Sequence, residues 1–405
     1  MLRVVIGGYG PLQVWCALLL ATALPVRGQT HDEHAFRLDV GAQVLPLMTH
    51  ASPALAGDAM TEAYLTQPML FVHQQWRGVS AQVTLNLEGW TLERGELNAG
   101  NAGEGYVDRR HPHTFLHEAV LSASAARGGW SGSVAAGRGF VPFGTDDPMA
   151  RPIAKYAANH HLAQILERWI LLGAVRRGPV IVEGSLFNGD EPTSPESLGR
   201  IERFGDSWSA RVTLLPHDAL ELQGSHARVE SPEHAPGGGL DSRKWSASVR
   251  ASHGTLYGMV EWARTTEYSG DRRAFAFASV LGEASAEVGA FRVAARFERT
   301  SRPEEERMGS AFRSARPHSD DNIIGVTRWR IATLNIARDV RLGDLRVTPF
   351  AEASRLSVEE ITGSIFDPDE HYGSSNHWSL SAGFRIGAGL VHSRMGRYAV
   401  GMPSH

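Results

Sequence analysis

Cysteine is almost missing from this chain: among 405 residues only Cys16 carries a thiol, and it falls in a leader-like segment. The remainder therefore has no disulfide, no thiol nucleophile and no cysteine-based zinc or iron–sulfur site. Long apolar runs are missing too. Beyond the first thirty residues nothing approaches the ~20 apolar residues of a spanning helix, which excludes a bundle of transmembrane helices. Neither charge sign is in marked excess. The 40 Lys and Arg against 44 Asp and Glu leave a formal net charge of −4, so no basic field awaits a polyphosphate and no nucleic-acid partner is expected. No Gly-x-Ser-x-Gly elbow occurs either, and catalysis is not expected.

What is present begins with an address. Arg3 supplies a positive charge, Val14–Leu24 is an eleven-residue apolar run, and Val26-Arg27-Gly28 offers small residues before a cut ahead of Gln29. That layout is a secretory signal peptide over residues 1–28, too short to span a bilayer. Residues 29–405 are then the exported body.

The body has a period of two. Val79, Ala81, Val83, Leu85 and Leu87 alternate with Ser80, Gln82, Thr84, Asn86 and Glu88, and successive side chains of a strand point to opposite sides. The same pattern recurs around Trp208–Leu214, Trp245–Ala251, Phe291–Phe297 and Trp378–Ile386. It predicts about sixteen strands: 36–46, 63–75, 79–92, 114–125, 130–140, 162–175, 179–187, 206–215, 219–230, 244–252, 255–264, 274–282, 286–299, 323–337, 345–358 and 377–391. Tight links such as Arg176-Arg-Gly178 and His253-Gly254 alternate with long polar connections, for example 93–113, 141–161 and 300–322. Short turns at one end and long loops at the other indicate a transmembrane antiparallel up-and-down β-barrel, with 14 to 18 strands compatible. In hydrocarbon each unpaired backbone amide or carbonyl costs several kcal/mol, so a spanning sheet must close on itself. Trp90, Trp208, Trp245, Trp262 and Trp378 fall toward the loop side, Trp76 and Trp130 at the turn side, as two interfacial belts. A secreted β-sandwich would also alternate, but its inner faces would carry large aliphatics rather than the many Ala and Gly found here.

With apolar positions toward lipid, the predicted inward set is Glu88, Glu118, Glu183, Arg211, Glu221, Arg250, Glu261, Arg292, Arg296, Glu298, Arg328, Arg330, Arg346, Glu352 and Arg385. Both signs line that wall, and sixteen or so strands enclose an aqueous channel. The expected activity is passive, weakly selective diffusion of small polar solutes or ions. Cross-strand pairing that merely holds the barrel's shape explains the same charges.

As a pattern of strands over the whole mature chain, the sequence resembles Gram-negative outer-membrane porins of about sixteen strands. That resemblance implies a cell outer-membrane location, contact with lipid and lipopolysaccharide, and a third external loop folded into the pore; it is compatible with a homotrimer as well as a monomer. The matching connection is Val141–His161, where Asp146, Asp147, Arg151 and Lys155 would then set the field of a constriction. Such barrels usually end on an aromatic residue, whereas this chain continues through Tyr398 to His405. Either Tyr398 is the last aromatic with a short tail behind it, or the closing strand lies elsewhere. Asn159-His160 is similar to the Asn-His start of outer-membrane phospholipases, but Leu162 stands where their serine belongs. No globular segment long enough to plug the barrel for energised uptake precedes the first strand.

Histidines are the one chemical oddity. Asp108, His111, His113 and His117 lie within ten residues, and His160-His161 ends the next long connection. Imidazole with carboxylate suits zinc or copper, so these six residues are a candidate metal set. Polar rim residues bonded to neighbouring loops account for the same letters. The alternatives to a diffusion pore are a barrel handling divalent copper or zinc, and a non-conducting sheath for a periplasmic partner.

Overall fold

The structure, a computed structural model, describes residues 36–53, 59–92, 95–97, 109–110, 113–145, 151–305, 323–361, 367–390 and 396–398. The expected signal peptide and Cys16 lie outside the described residues.

Sixteen antiparallel strands form one closed sheet. They are β1 (Arg37–Ser52), β2 (Met60–Trp76), β3 (Val79–Asn86), β4 (Leu116–Arg127), β5 (Trp130–Gly139), β6 (Arg168–Arg177), β7 (Val180–Phe187) and β8 (Ser207–His217), followed by β9 (Leu220–Val229), β10 (Asp241–His253), β11 (Leu256–Ser269), β12 (Arg272–Val288), β13 (Phe291–Glu305), β14 (Ile323–Ala337, continued by Val340–Leu342), β15 (Leu345–Glu360) and β16 (Asn376–Gly389). Each strand pairs with its sequence neighbours, and β1 pairs with β16 from Gly41↔Gly389 to Ser52↔Trp378. That seam abolishes both edges, the only arrangement in which every backbone group of a spanning sheet finds a partner. Gly383 allows it: a Cβ there would meet the Pro46 carbonyl oxygen at 2.4 Å. The closing strand is therefore where the alternation puts it.

All sixteen expected strands are found, and several are longer. β1 and β2 extend into the connection expected at 47–62, and the turn anticipated before 286 occurs at Gly289-Ala290. In the opposite sense, β3 stops at Asn86 and gives way to the one-turn helix α1 (Glu88–Thr91), so Trp90 is not on a strand. The segment expected as a strand from 162 begins as a helical turn, α2 (His160–Ala163), and only from Arg168 is it a strand.

Burial is inverted relative to a water-soluble protein. Val134 is 59 % exposed, Leu380 52 % and Phe384 49 %, on the outer face, whereas Thr84, Glu261 and Arg302 are 0 % exposed inside. Large apolar side chains left exposed strand after strand make a band that must meet hydrocarbon, because water would penalise it. Trp76 and Trp130 flank the band on the turn side, and Trp208, Trp245 and Trp378 on the loop side, all outward. An arginine in place of Val134, at mid-strand on this face, should cost about 2–4 kcal/mol of folding free energy. Equilibrium unfolding in phospholipid vesicles measures it; an unchanged midpoint would mean the face does not meet lipid.

Candidate pore and the segments inside it

Two charged expectations change face. On β14 the inward residues are Thr327, Trp329 and Ile331, all buried, while the Arg328 and Arg330 side chains are 31 % and 49 % exposed. Both therefore point outward, each 3.0 Å from Glu359 on β15, and neither is a lumen charge. The cause is local. At the loop end the strand has left the hydrocarbon, so its outer face accepts charge. Its inner face packs Trp329 on Tyr372 of the short helix α3 (Pro368–Tyr372), with ring centroids 5.4 Å apart.

The other inward expectations hold by face. Glu118, Glu183, Arg211, Glu261, Arg296, Glu298 and Glu352 are buried inside the barrel. Glu221 faces the lumen, and Arg250, Arg292, Arg346 and Arg385 share the parity of their strands' buried positions, Arg346 being exposed at the turn end. Glu88 is buried on α1, where its Oε1 accepts from the Thr66 hydroxyl at 2.7 Å and the Gln67 amide at 2.9 Å.

These groups do not line an empty tube, because two segments enter it. The first is the connection after β5. Of the four residues expected at its constriction, Asp146 and Asp147 lie outside the described residues, while Arg151 and Lys155 are buried in the lumen. A connection that leaves the wall must satisfy its backbone amides without a ladder. Here wall carboxylates accept them: Ala154 N donates to Glu352 at 3.0 Å and Ala158 N to Glu298 at 2.7 Å. Glu261 gathers the Asn159 side-chain amide at 2.8 Å, the Arg151 guanidinium at 3.4 Å and the Thr145 hydroxyl. The wall donates back, Arg296 to the Lys155 carbonyl at 3.0 Å and Lys244 to that of His161 at 2.8 Å. Lys155 itself donates to the Leu97 carbonyl. The space left between loop and wall beside Lys155, Glu298 and Glu352 is about 20 Å³, room for roughly one water.

The second segment is residues 396–398, which follow the closing strand and return into the barrel. Arg397 donates to Glu183 at 3.2 Å, Thr213 at 3.3 Å, Glu221 at 3.1 Å and Gln223 at 3.4 Å. Arg211 holds Glu183 through two bonds, 2.6 and 2.7 Å, and reaches the Gly396 carbonyl at 3.3 Å. The Tyr398 hydroxyl donates to Glu118 at 2.8 Å and accepts from the Phe140 amide at 2.7 Å. Burial, with the Glu118 charge behind it, pushes that hydroxyl well above the usual phenol range, so it keeps its proton. Tyr398 thus ends as an interior anchor rather than an aromatic of the lipid belt.

The histidine set is partly assembled. Asp108 and His111 lie outside the described residues. His113 and His117 meet at a carboxylate absent from the expected set, Glu167, whose Oε1 is 2.7 Å from His117 Nδ1 and 3.5 Å from His113 Nδ1. Among the described residues this is the one group of three whose ligand-capable atoms all lie within 4.8 Å, and all three residues are buried. Glu167 has φ +59°, a backbone that favours glycine. Burial works to raise its pKa, but the His117 hydrogen bond and the adjacent His113 imidazole outweigh it and hold the carboxyl well below the ordinary value. His160 and His161 belong elsewhere: His160 lies edge-on to Tyr156 at 5.3 Å and 4.0 Å from the His161 ring. Nothing in the alternation marked Glu167, since it sits just before β6 rather than in it.

No protein-family model and no curated protein sequence matches this chain. Solved structures do. The loop-deleted form of OmpT, an outer membrane protein of Vibrio cholerae, superposes with a TM-score of 0.51 at 8 % identity, covering 88 % of this chain and 100 % of that one. In-vitro folded OmpT in its trimer form gives 0.51 at 8 %, covering 87 % and 99 %, and outer-membrane expressed OmpT gives 0.50 at 8 %, covering 89 % and 99 %. The fold is that of an outer-membrane β-barrel. At such identity the likeness concerns architecture, so function must come from the interior.

Proposed function

We propose that the chain is an outer-membrane, porin-like channel for passive, weakly selective diffusion of small polar solutes or ions, with the inserted loop and tail setting its conductance, and that it catalyses no reaction. The observation that carries this reading is the inversion of burial: a sixteen-strand wall, apolar outside and charged inside, is large enough to hold water. The charges that stay inside belong to both signs, which fits mild rather than steep ion preference. Outward arginines support the lipid partners. Arg299, Arg328, Arg330 and Arg355 stand on the outer face at the loop-side ends of β13–β15, the level of phosphate-bearing lipopolysaccharide headgroups. The trimer form of OmpT supports a homotrimer here.

The second reading, a non-conducting sheath or scaffold, draws on the same interior, because loop and tail both occupy it. Planar-bilayer recording separates the two. The full mature chain is expected to give small, steady, ohmic steps with weak selectivity between potassium and chloride. Silence from wild type, from a tail-released variant and from a loop-released variant would leave the sheath.

A further inference from the structure

We propose that His113, His117 and Glu167 bind one divalent first-row transition metal ion, of the zinc(II) or copper(II) class, on the inner wall of the barrel. The inference stands apart from conduction and uses a group that the channel reading does not need.

The donors come from two distant stretches. His113 and His117 lie four residues apart where the chain runs into β4, and Glu167 lies 50 residues beyond His117, just before β6. The Glu167 backbone, at φ +59°, is held in a conformation that a side-chain-bearing residue adopts at a cost. The Thr114 amide also donates to Glu167 Oε1, at 3.0 Å, fixing that oxygen between the imidazoles.

The spacing favours a shared ion over a purely hydrogen-bonded triad. Bonds of about 2.0–2.1 Å in a tetrahedral shell place donor atoms roughly 3.3 Å apart. His113 Nδ1 stands 3.5 Å from Glu167 Oε1, long for a hydrogen bond and close to that separation. His117 Nδ1, at 2.7 Å, hydrogen-bonds Glu167 and would move outward by roughly half an ångström to share the ion. His113 carries the decisive oddity: among the described residues its buried Nε2 has no hydrogen-bond partner, and its Nδ1 has only the long 3.5 Å contact to Glu167. A metal at Nδ1 gives the ring a strong partner.

The donor chemistry selects the ion. Calcium and magnesium take oxygen ligands, whereas two imidazoles with one carboxylate suit zinc, copper or nickel. Three protein ligands leave a coordination position for water or a solute. The rings of Phe140, 5.0 Å from His117, and Tyr156, 5.9 Å from His113, wall the group on the side of the inserted loop.

The test uses the full mature chain without an oligohistidine tag, folded in detergent, its folding checked by a heat-dependent shift on SDS gels. After equilibrium dialysis against zinc chloride, elemental analysis should give about one tightly held zinc per chain and no comparable uptake of magnesium. His113→Ala/His117→Ala should weaken zinc binding by about tenfold or more. His217→Ala/His253→Ala, which alters exposed histidines, should leave it unchanged. Equal zinc uptake by wild type and by a folded His113/His117 variant would overturn the proposal. Should that variant fail to fold, copper(II)-loaded wild type decides: its electron paramagnetic resonance spectrum must show coupling to two nitrogens that Glu167→Gln perturbs. A spectrum with oxygen ligation alone would equally end the idea.

Discussion

Replacing Arg397 and Tyr398 with alanine should raise single-channel conductance several-fold while leaving the barrel folded. Arg397 reaches two carboxylates and two neutral side chains, and Tyr398 reaches a third carboxylate. Hydrogen bonds to charged groups contribute about 1.5–3 kcal/mol each. Three such bonds, even if only partly additive, keep the tail inside nearly all of the time in the wild-type chain. Without them residues 396–398 lose their hold, and the lumen beside β7, β8 and β9 opens. The wall should tolerate this, because Glu183 retains Arg211 at 2.6 Å and Glu118 retains the Gln82 and Thr84 side chains at 3.0 and 2.6 Å. Tyr398→Phe, which removes only the hydroxyl, should give an intermediate conductance. Identical current steps in wild type and double variant would show that the tail does not obstruct flow.

The second large effect concerns the inserted loop. Glu261→Ala should loosen it, because this one carboxylate holds the side chains of Asn159, Arg151 and Thr145 together, leaving Glu352, Glu298, Arg296 and Lys244 to hold only its main chain. Removing one partner of a buried ion pair costs about 3–5 kcal/mol, and here Arg151, Asn159 and Thr145 lose a shared acceptor at once. The barrel ladder has no part in that contact, so the loss should be discharged by the loop leaving the wall. Lys155, only 5 % exposed, then becomes a trypsin site while the strands stay resistant. Conductance should rise, and Glu261→Gln, which keeps an acceptor for Asn159 but not the charge, should be cut more slowly. If trypsin leaves Lys155 intact in Glu261→Ala, the carboxylate is not what secures the loop.

Much of the wall was readable before any coordinates. Alternation is a local property: each strand must place lipid-facing side chains two residues apart, and tight turns leave short Gly-containing links between such runs. Hence all sixteen strands were recognisable, and so was the face of Glu183, Arg211 or Glu298. The pattern weakens wherever the physical demand weakens. Past the hydrocarbon, backbone pairing continues but the outer face need not be apolar. β1 therefore runs on to Ser52, and Arg328 and Arg330 sit outside with Trp329 buried within. The expected strand from 162 begins only at Arg168, because the first part of that segment is a helical turn packed in the lumen.

What the sequence by itself determined is the position of the strands, their number to about sixteen with 14 to 18 compatible, and the choice of a closed barrel over stacked sheets; the export leader stays an expectation. Only the tertiary structure decided what fills the interior. Arg397 meets Glu183 across 214 residues, Ala158 meets Glu298 across 140, and His117 meets Glu167 across 50. Periodicity records which side of the wall a residue faces, because that constraint repeats at every step of the chain. Contacts across the lumen impose no repeat, so they leave no pattern to read until the barrel is closed.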